Sequence, residues 1–182
     1  MQTESVQWQE VSTSSETPDA LPHDIQGFLD FWTSLTRTHG RLPRKSEFDP
    51  LDVAPFWRGI AVIEVVREEG REDRYFYRFL GTSHDEVNGM PHSGCYMHEV
   101  LPPREVAATQ PVFNHVVSSR LPHYWHRRRK VPGQELLGYE RILTPFLGKG
   151  DTVDFLIGYW KWHWRRNQGN GLYLVSDVTL PG

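Results

Sequence analysis

The sequence predicts an α+β fold, a five-stranded antiparallel sheet with helices on one face and an extra amphipathic helix ahead of it. Three observations carry this expectation. Two strand-like segments are joined by a short charged connection, a helical crossing follows, and three further strand-like segments are linked by turns at Pro132-Gly133 and Gly148-Lys149-Gly150.

Residues 1–22 are rich in Ser, Thr, Gln and Glu and poor in apolar side chains, which predicts a flexible lead-in because too little surface can be buried to offset the entropy of ordering. Residues 23–166 then form the expected domain, opening with a helix over 23–40. Asp24 is its expected N-cap, Ile25, Phe28, Leu29, Trp32 and Leu35 follow the 3.6-residue period, and Gly40 stands at the left-handed C-terminal position. That apolar stripe needs a cover, either the sheet of the same chain or the equivalent helix of a second one. Asp49 before Pro50 marks a second, short helix whose length Pro55 limits.

Gly59 to Arg67 reads as a buried strand, and Glu68 to Asp73 as the charged connection to an aromatic strand, Arg74 to Leu80, in which Tyr75, Tyr77 and Phe79 alternate with Phe76, Arg78 and Leu80. Gly81-Thr82 stops it, Ser83 is placed to cap a short helix, and Asn88-Gly89 ends that helix. His92 to Pro103 is read as a loop. A helix follows from Arg104 to Ser119 with Val106, Val112, Phe113, Val116 and Val117 inward, and Pro111 predicts a kink or a break in it. Strands are expected near 122–130, 135–146 and 153–164, and the tail, 167–182, carries strand propensity of its own from Leu172 to Leu180.

The chain has 182 residues, a net charge of −3 and a single cysteine, Cys95, so one domain with extensions is expected, without an intramolecular disulfide or a thiolate cluster. No apolar run reaches the roughly 18 residues of a membrane span, and the first residues lack a basic start and apolar centre, which predicts a cytoplasmic protein without a membrane partner.

The order of elements resembles the PAS fold, and the motifs resemble those of a bacterial PAS-domain family of short, single-domain proteins. The matching pieces are Leu42-Pro43, Asp49-Pro50-Leu51, Tyr77-Arg78-Phe79-Leu80-Gly81-Thr82, Gly89, Gly94, Leu101-Pro102, Tyr139-Glu140-Arg141, and Leu143 with Pro145, within residues 25 to 160. The histidines at 84, 92 and 98 and the cluster Tyr159 to Trp164 depart from that pattern. The resemblance implies a sensory or adaptor role in intracellular signalling through a ligand-binding pocket, through contact with a signalling protein, or both. It names no cofactor, and none is indicated by the residues: the reactive-cysteine motif of flavin-binding relatives is missing.

By strand alternation and by similarity to the ligand side of that fold, Tyr77, Phe79, Tyr139 and Arg141 are expected nearest a pocket. Arg78 and Arg141 could hold a carboxylate there, the alternatives being an Arg78–Glu64 or an Arg141–Glu140 ion pair on the solvent face. His92, Cys95 and His98 offer donors for a metal, but a closed site needs a fourth ligand, so solvated loop histidines are the expectation and no metal is predicted. His126 to Lys130 is a short basic run, read as the guarded face of a strand rather than a nucleic-acid surface. Trp160, Trp162 and Trp164 share one face of the last strand, expected to meet the N-terminal helix or a second chain, and Phe28, Trp32 and Leu35 with Trp160 and Trp162 are the candidate homodimer interface. No nucleophile elbow, phosphate loop or dinucleotide motif is present, so a non-enzymatic protein is expected. The alternatives are a small-molecule-transforming enzyme on a cone-shaped sheet, with His84 or His98 as base and Tyr139 as partner, and a ligand-free structural interaction module.

Overall fold

A computed structural model of the chain describes residues 21–129, 136–165 and 176–179. Its centre is one antiparallel sheet built from β1 (Ile60–Val66), β2 (Arg74–Leu80), β3 (His123–Arg129), β4 (Leu136–Leu147), β5 (Val153–Arg165) and β6 (Ser176–Thr179). The strands lie in the order β2-β1-β5-β4-β3-β6. The five predicted strands are therefore joined by a sixth, in which a piece of the tail pairs with the β3 edge at His123 to His126. The helical crossing falls between β2 and β3, which gives the expected α+β arrangement. The lead-in over 1–20, the Pro132-Gly133 turn, the rest of the tail and the Trp164 side chain lie outside the described residues.

The helices divide between the two faces. On one side lie α2 (Thr82–Asn88), α3 (Met97–Val100) and α4 (Pro103–Ser119); on the other lies α1 (His23–His39), with 3-10 segments at Lys45–Glu47 and Pro50–Gly59. The alternation of each strand produces this division, since Ala61, Ile63, Tyr139, Leu143 and Leu156 pack toward α4 while Ile60, Val62, Ile142, Phe146 and Ile157 pack toward α1.

The apolar stripe of α1 is covered by the sheet of its own chain. Ile25, Phe28 and Trp32 are buried, Leu35 packs beside them half-buried, and Trp32 donates its indole N–H to the Pro145 carbonyl at 3.0 Å. Phe28 and Trp32 thus have no surface left for a second chain. The cause is that Ile142 and Phe146 of β4, with Phe155, Ile157 and Tyr159 of β5, present apolar surface on this side and cover the stripe. Gly40 ends the helix at φ 63°, a left-handed backbone that a side chain would disfavour. Asp24 does not cap it: it lies in the first turn and accepts from Lys161 Nζ at 2.7 Å and from the Tyr159 hydroxyl.

Asp49 does cap its segment, accepting from the Leu51 backbone N–H. In α2 the residue before the helix is Gly81, so the helix starts at Thr82, ahead of the expected Ser83 cap, and Gly89 closes it. Part of the stretch read as a loop is helical, because Glu99 reaches back to the Tyr96 backbone N–H and Met97 is buried. Pro111 is contained within α4, which runs unbroken from Pro103 to Ser119; one missing backbone donor is outweighed by the buried face of Glu105, Thr109, Phe113 and Val116.

Candidate functional site

Between the α4-facing side of the sheet and helices α2 and α4 is a cavity of about 90 Å³. Its floor comes from three adjacent strands: Ala61 of β1, Tyr77 and Leu80 of β2, Trp160 and Trp162 of β5, with Tyr139 of β4 beside them. Register explains the grouping. Tyr139 stands opposite Trp162 and Arg141 opposite Trp160, and residues paired across antiparallel strands share a face. The roof is made by Glu105, Thr109 and Phe113, spaced four apart on α4 and hence on one stripe of that helix. His84 and Asn88 of α2, with His92 and Leu101, form the remaining wall.

His84 is the most constrained of these groups. Its Nε2 lies 3.1 Å from the Gly59 carbonyl, which can only accept, so Nε2 carries the proton and donates. The ring stands edge-on to Trp160 and Trp162, at 5.2 and 5.7 Å. Burial among these rings lowers its pKa to about 4, against partial support from the Gly59 bond and from Asp85, so it is neutral near pH 7. His92 is buried as well, and desolvation lowers its basicity in the same direction. The Asn88 amide nitrogen lies 3.2 Å from His92 Nδ1, and an amide donor there requires that Nδ1 be unprotonated.

Burial also raises the pKa of the Tyr77 hydroxyl, which Arg141 only partly offsets, so this phenol stays protonated. Glu105, almost wholly buried, accepts from Arg127 at 3.1 Å. Trp162 packs 4.9 Å from the Tyr139 ring, and its indole Nε1–H is buried with no hydrogen-bond partner among the described residues.

Of the expected pocket residues, Tyr77 and Tyr139 line the cavity. Arg141 lies on the same face, fully buried, its guanidinium over the rings of Trp125, Trp160 and Phe113 at 4.6, 5.4 and 5.5 Å. It forms part of the packed wall behind Trp160 rather than a solvent-face pair. Phe79 is on the other side of the sheet, its ring 4.7 Å from that of Trp57 and tilted to it, because a bulge in β2 shifts the pairing between Val62–Phe79 and Ile63–Tyr77 and inverts the alternation at that point. Arg78, at the bulge, is exposed and bonded to Glu64, the surface pair foreseen as its alternative.

Trp160 and Trp162 do not meet α1: they line the cavity, Trp160 buried and Trp162 half-buried, while Tyr159, one residue away, turns to stack on Phe28. His92, Cys95 and His98 do not converge. His92 faces Asn88, whereas His98 is exposed beside the Tyr96 ring, and no three His, Cys, Asp or Glu side chains among the described residues are grouped to hold a metal. Glu105 and Thr109 escaped the sequence reading, although their four-residue spacing from Phe113 marks them as facing inward with it. No helix of the described residues is long and apolar enough to cross a membrane.

No protein-family model matches the sequence, and no curated protein matches it. Among solved structures, the chain is similar to an RNA-binding Light-Oxygen-Voltage receptor, with 15% identity and a TM-score of 0.40 over 86% of this chain. The matched part is 38% of that receptor chain.

Proposed function

We propose that the chain is a PAS-like sensory domain that binds a small molecule in the cavity under α4 and passes its occupancy to a signalling protein by contact. The observation that carries this reading is the cavity itself, whose wall sets His84, Asn88, Glu105 and Thr109 among the rings of Tyr77, Phe113, Tyr139, Trp160 and Trp162. The wall mixes aromatic surface with a few polar groups from several elements, as small-molecule sites do. Occupancy would bear directly on α2 and α4, the two helices that close the cavity, and so reach the outer surface through them.

An enzymatic role has weaker support. His84 holds its proton on the Gly59 carbonyl, and His98, the other candidate base, lies outside the cavity. A homodimer would have to use surfaces other than the buried stripe of α1, such as the exposed Leu51 and Met90.

Native mass spectrometry of tag-free protein, beside its denatured mass, tests the proposal. A mass increment lost on denaturation supports it. A mass that stays equal to the bare chain, even after incubation in a small-molecule extract of the producing cells, would overturn ligand binding.

A further inference from the structure

Buried polar atoms almost always have a hydrogen-bond partner, so those on a cavity wall that lack one indicate what an occupant supplies. This step rests on the ligand-binding reading above. Tyr77, Tyr139 and Thr109 line the cavity from β2, β4 and α4, and each residue is only 7% exposed. Among the described residues none of their hydroxyls has a hydrogen-bond partner, whereas Tyr75, the other buried tyrosine of β2, donates to Asn114 Oδ1. Packing seals the Trp162 indole nitrogen from water, but it does not seal these three hydroxyls. In residues so deeply buried, the space they open to is the cavity they line. Burial also keeps the Tyr77 phenol protonated, and the Tyr139 hydroxyl is close enough to act on it in the same sense.

His84 adds a group of fixed direction. Its Nε2 donates to the Gly59 carbonyl, so Nδ1 is the unprotonated nitrogen and can only accept. Nδ1 is likewise unsealed and without a partner among the described residues, on a buried ring that lines the cavity. A ketone oxygen could accept from the three hydroxyls but would offer His84 nothing. A ligand O–H does both, since one oxygen accepts from a wall hydroxyl while its proton goes to the imidazole.

Charge narrows the class further. Glu105, the carboxylate on the wall, is already bonded to Arg127, so neither an anion nor a cation would find an uncommitted counter-charge there. Either ion would give up hydration on entering. The carbon frame of a neutral ligand meets Phe113, Trp160 and Leu80 instead.

We propose that the cavity is a site for an uncharged hydroxyl compound, an alcohol or a phenol, whose O–H donates to His84 Nδ1 and whose oxygen accepts from the hydroxyls of Tyr77, Tyr139 or Thr109.

One aromatic frame with different head groups tests this: α-methylbenzyl alcohol, acetophenone, benzamide, benzoate and α-methylbenzylammonium, each titrated into the full chain near neutral pH. The imidazole nitrogens of ¹⁵N-histidine-labelled protein give the readout, because a hydrogen bond onto an unprotonated ring nitrogen moves its resonance. The alcohol should move His84 Nδ1, and the other four should need at least tenfold higher concentration to bind. His84→Gln identifies the signal by its disappearance, and through-bond assignment of the wild type does so if that variant does not fold. At least one of Tyr77→Phe, Tyr139→Phe and Thr109→Val should weaken the alcohol roughly fivefold, while Tyr75→Phe, off the cavity wall, should leave its affinity unchanged. Equal or tighter binding of the ketone, the amide or either ion would overturn the proposal. So would an unmoved His84 Nδ1, or full affinity in all three wall variants. If the proposal fails in any of these ways, a ligand retained in the native mass spectrum would still keep the sensory reading, whereas a bare mass would remove both.

Discussion

Tyr139 and Trp162 face one another across β4 and β5, their ring centroids 4.9 Å apart and their planes inclined by 54°. Both rings line the cavity, so the tryptophan contributes packing there, while its indole N–H is buried without a hydrogen-bond partner among the described residues. These two contributions separate on substitution. Trp162→Phe keeps most of the ring contact while removing an unsatisfied N–H, so stability should change by less than about 1 kcal/mol. Trp162→Ala should cost roughly 2 to 3 kcal/mol, below the span for a fully buried tryptophan because the side chain is half-buried. Denaturant melts measure both, and native mass should show the same oligomeric state for wild type and alanine variant. Loss of an oligomer in Trp162→Ala would mean that the ring reaches a second chain.

His84 makes stability depend on pH in a predictable direction. Its pKa falls from the ordinary 6.5 to about 4 in the folded chain, so between these values the unfolded state binds a proton that the folded state refuses. Stability should therefore decline as pH falls from 6.5 to 4, by roughly 3 kcal/mol at 1.36 kcal/mol per unit, and this contribution should level off below 4. His92, also depressed, acts in the same sense. His84→Gln keeps an N–H for the Gly59 carbonyl and cannot titrate, so urea midpoints of the variant should lose most of that slope. Identical slopes in the two proteins would place the pH dependence elsewhere.

Much of this arrangement could be read before the structure, and the exceptions have identifiable causes. Strand alternation placed Tyr77 and Tyr139 together correctly because each lies in an uninterrupted run of its ladder. Phe79 failed by the same rule, since one bulged residue at Arg78 reverses the face and nothing in the residue types announces it. The stripe of α1 was evident, but its cover depended on how long an apolar row β4 and β5 would offer, a tertiary property. Glu105 and Thr109 were overlooked because a polar residue on an inward helical stripe is ordinarily a reason to move the stripe, not to extend it. Of the kink or break expected at Pro111, the break does not occur, because the packing of the helix's buried face opposes the local penalty.

The attachment of α1 offers a contrast between a buried and an exposed bond. Trp32 Nε1 donates to the Pro145 carbonyl in the core, whereas Asp24 pairs with Lys161 where both side chains are about one-third exposed. Burial alone would raise the Asp24 pKa, but hydrogen bonds from Lys161 and Tyr159 bring it below the usual carboxylate value. Trp32→Phe leaves a carbonyl without that donor and should cost about 1–3 kcal/mol, with lost packing in addition. Asp24→Asn should cost less than about 1 kcal/mol, since exposed ion pairs contribute little. Guanidinium midpoints compare the two, and an equal effect would show that the polar end holds α1 as strongly as the buried bond does.

Gly81 sits where the aromatic strand ends and α2 begins, and the reason for glycine is space rather than backbone angle. A methyl group there would lie 2.3 Å from the Trp57 carbonyl oxygen and 2.4 Å from that of Arg58, while the Gly81 N–H donates to the Ile60 carbonyl. Those are backbone atoms of the segment that leads into β1, so they cannot turn aside as a flexible side chain would. Gly150, by contrast, has no neighbour within 4 Å of the equivalent point. Gly81→Ala should therefore cost roughly 1–3 kcal/mol through overpacking and should displace α2, bringing the His84 ring off its Trp160 and Trp162 contacts; Gly150→Ala should change stability by less than about 0.5 kcal/mol. Thermal melts give the stabilities, and the His84 titration followed by NMR reports the displacement, because a ring released from burial titrates closer to 6.5. A Gly81→Ala variant with wild-type stability and an unshifted His84 would mean that the 57–58 backbone yields, and that α2 is not held in place by this close approach.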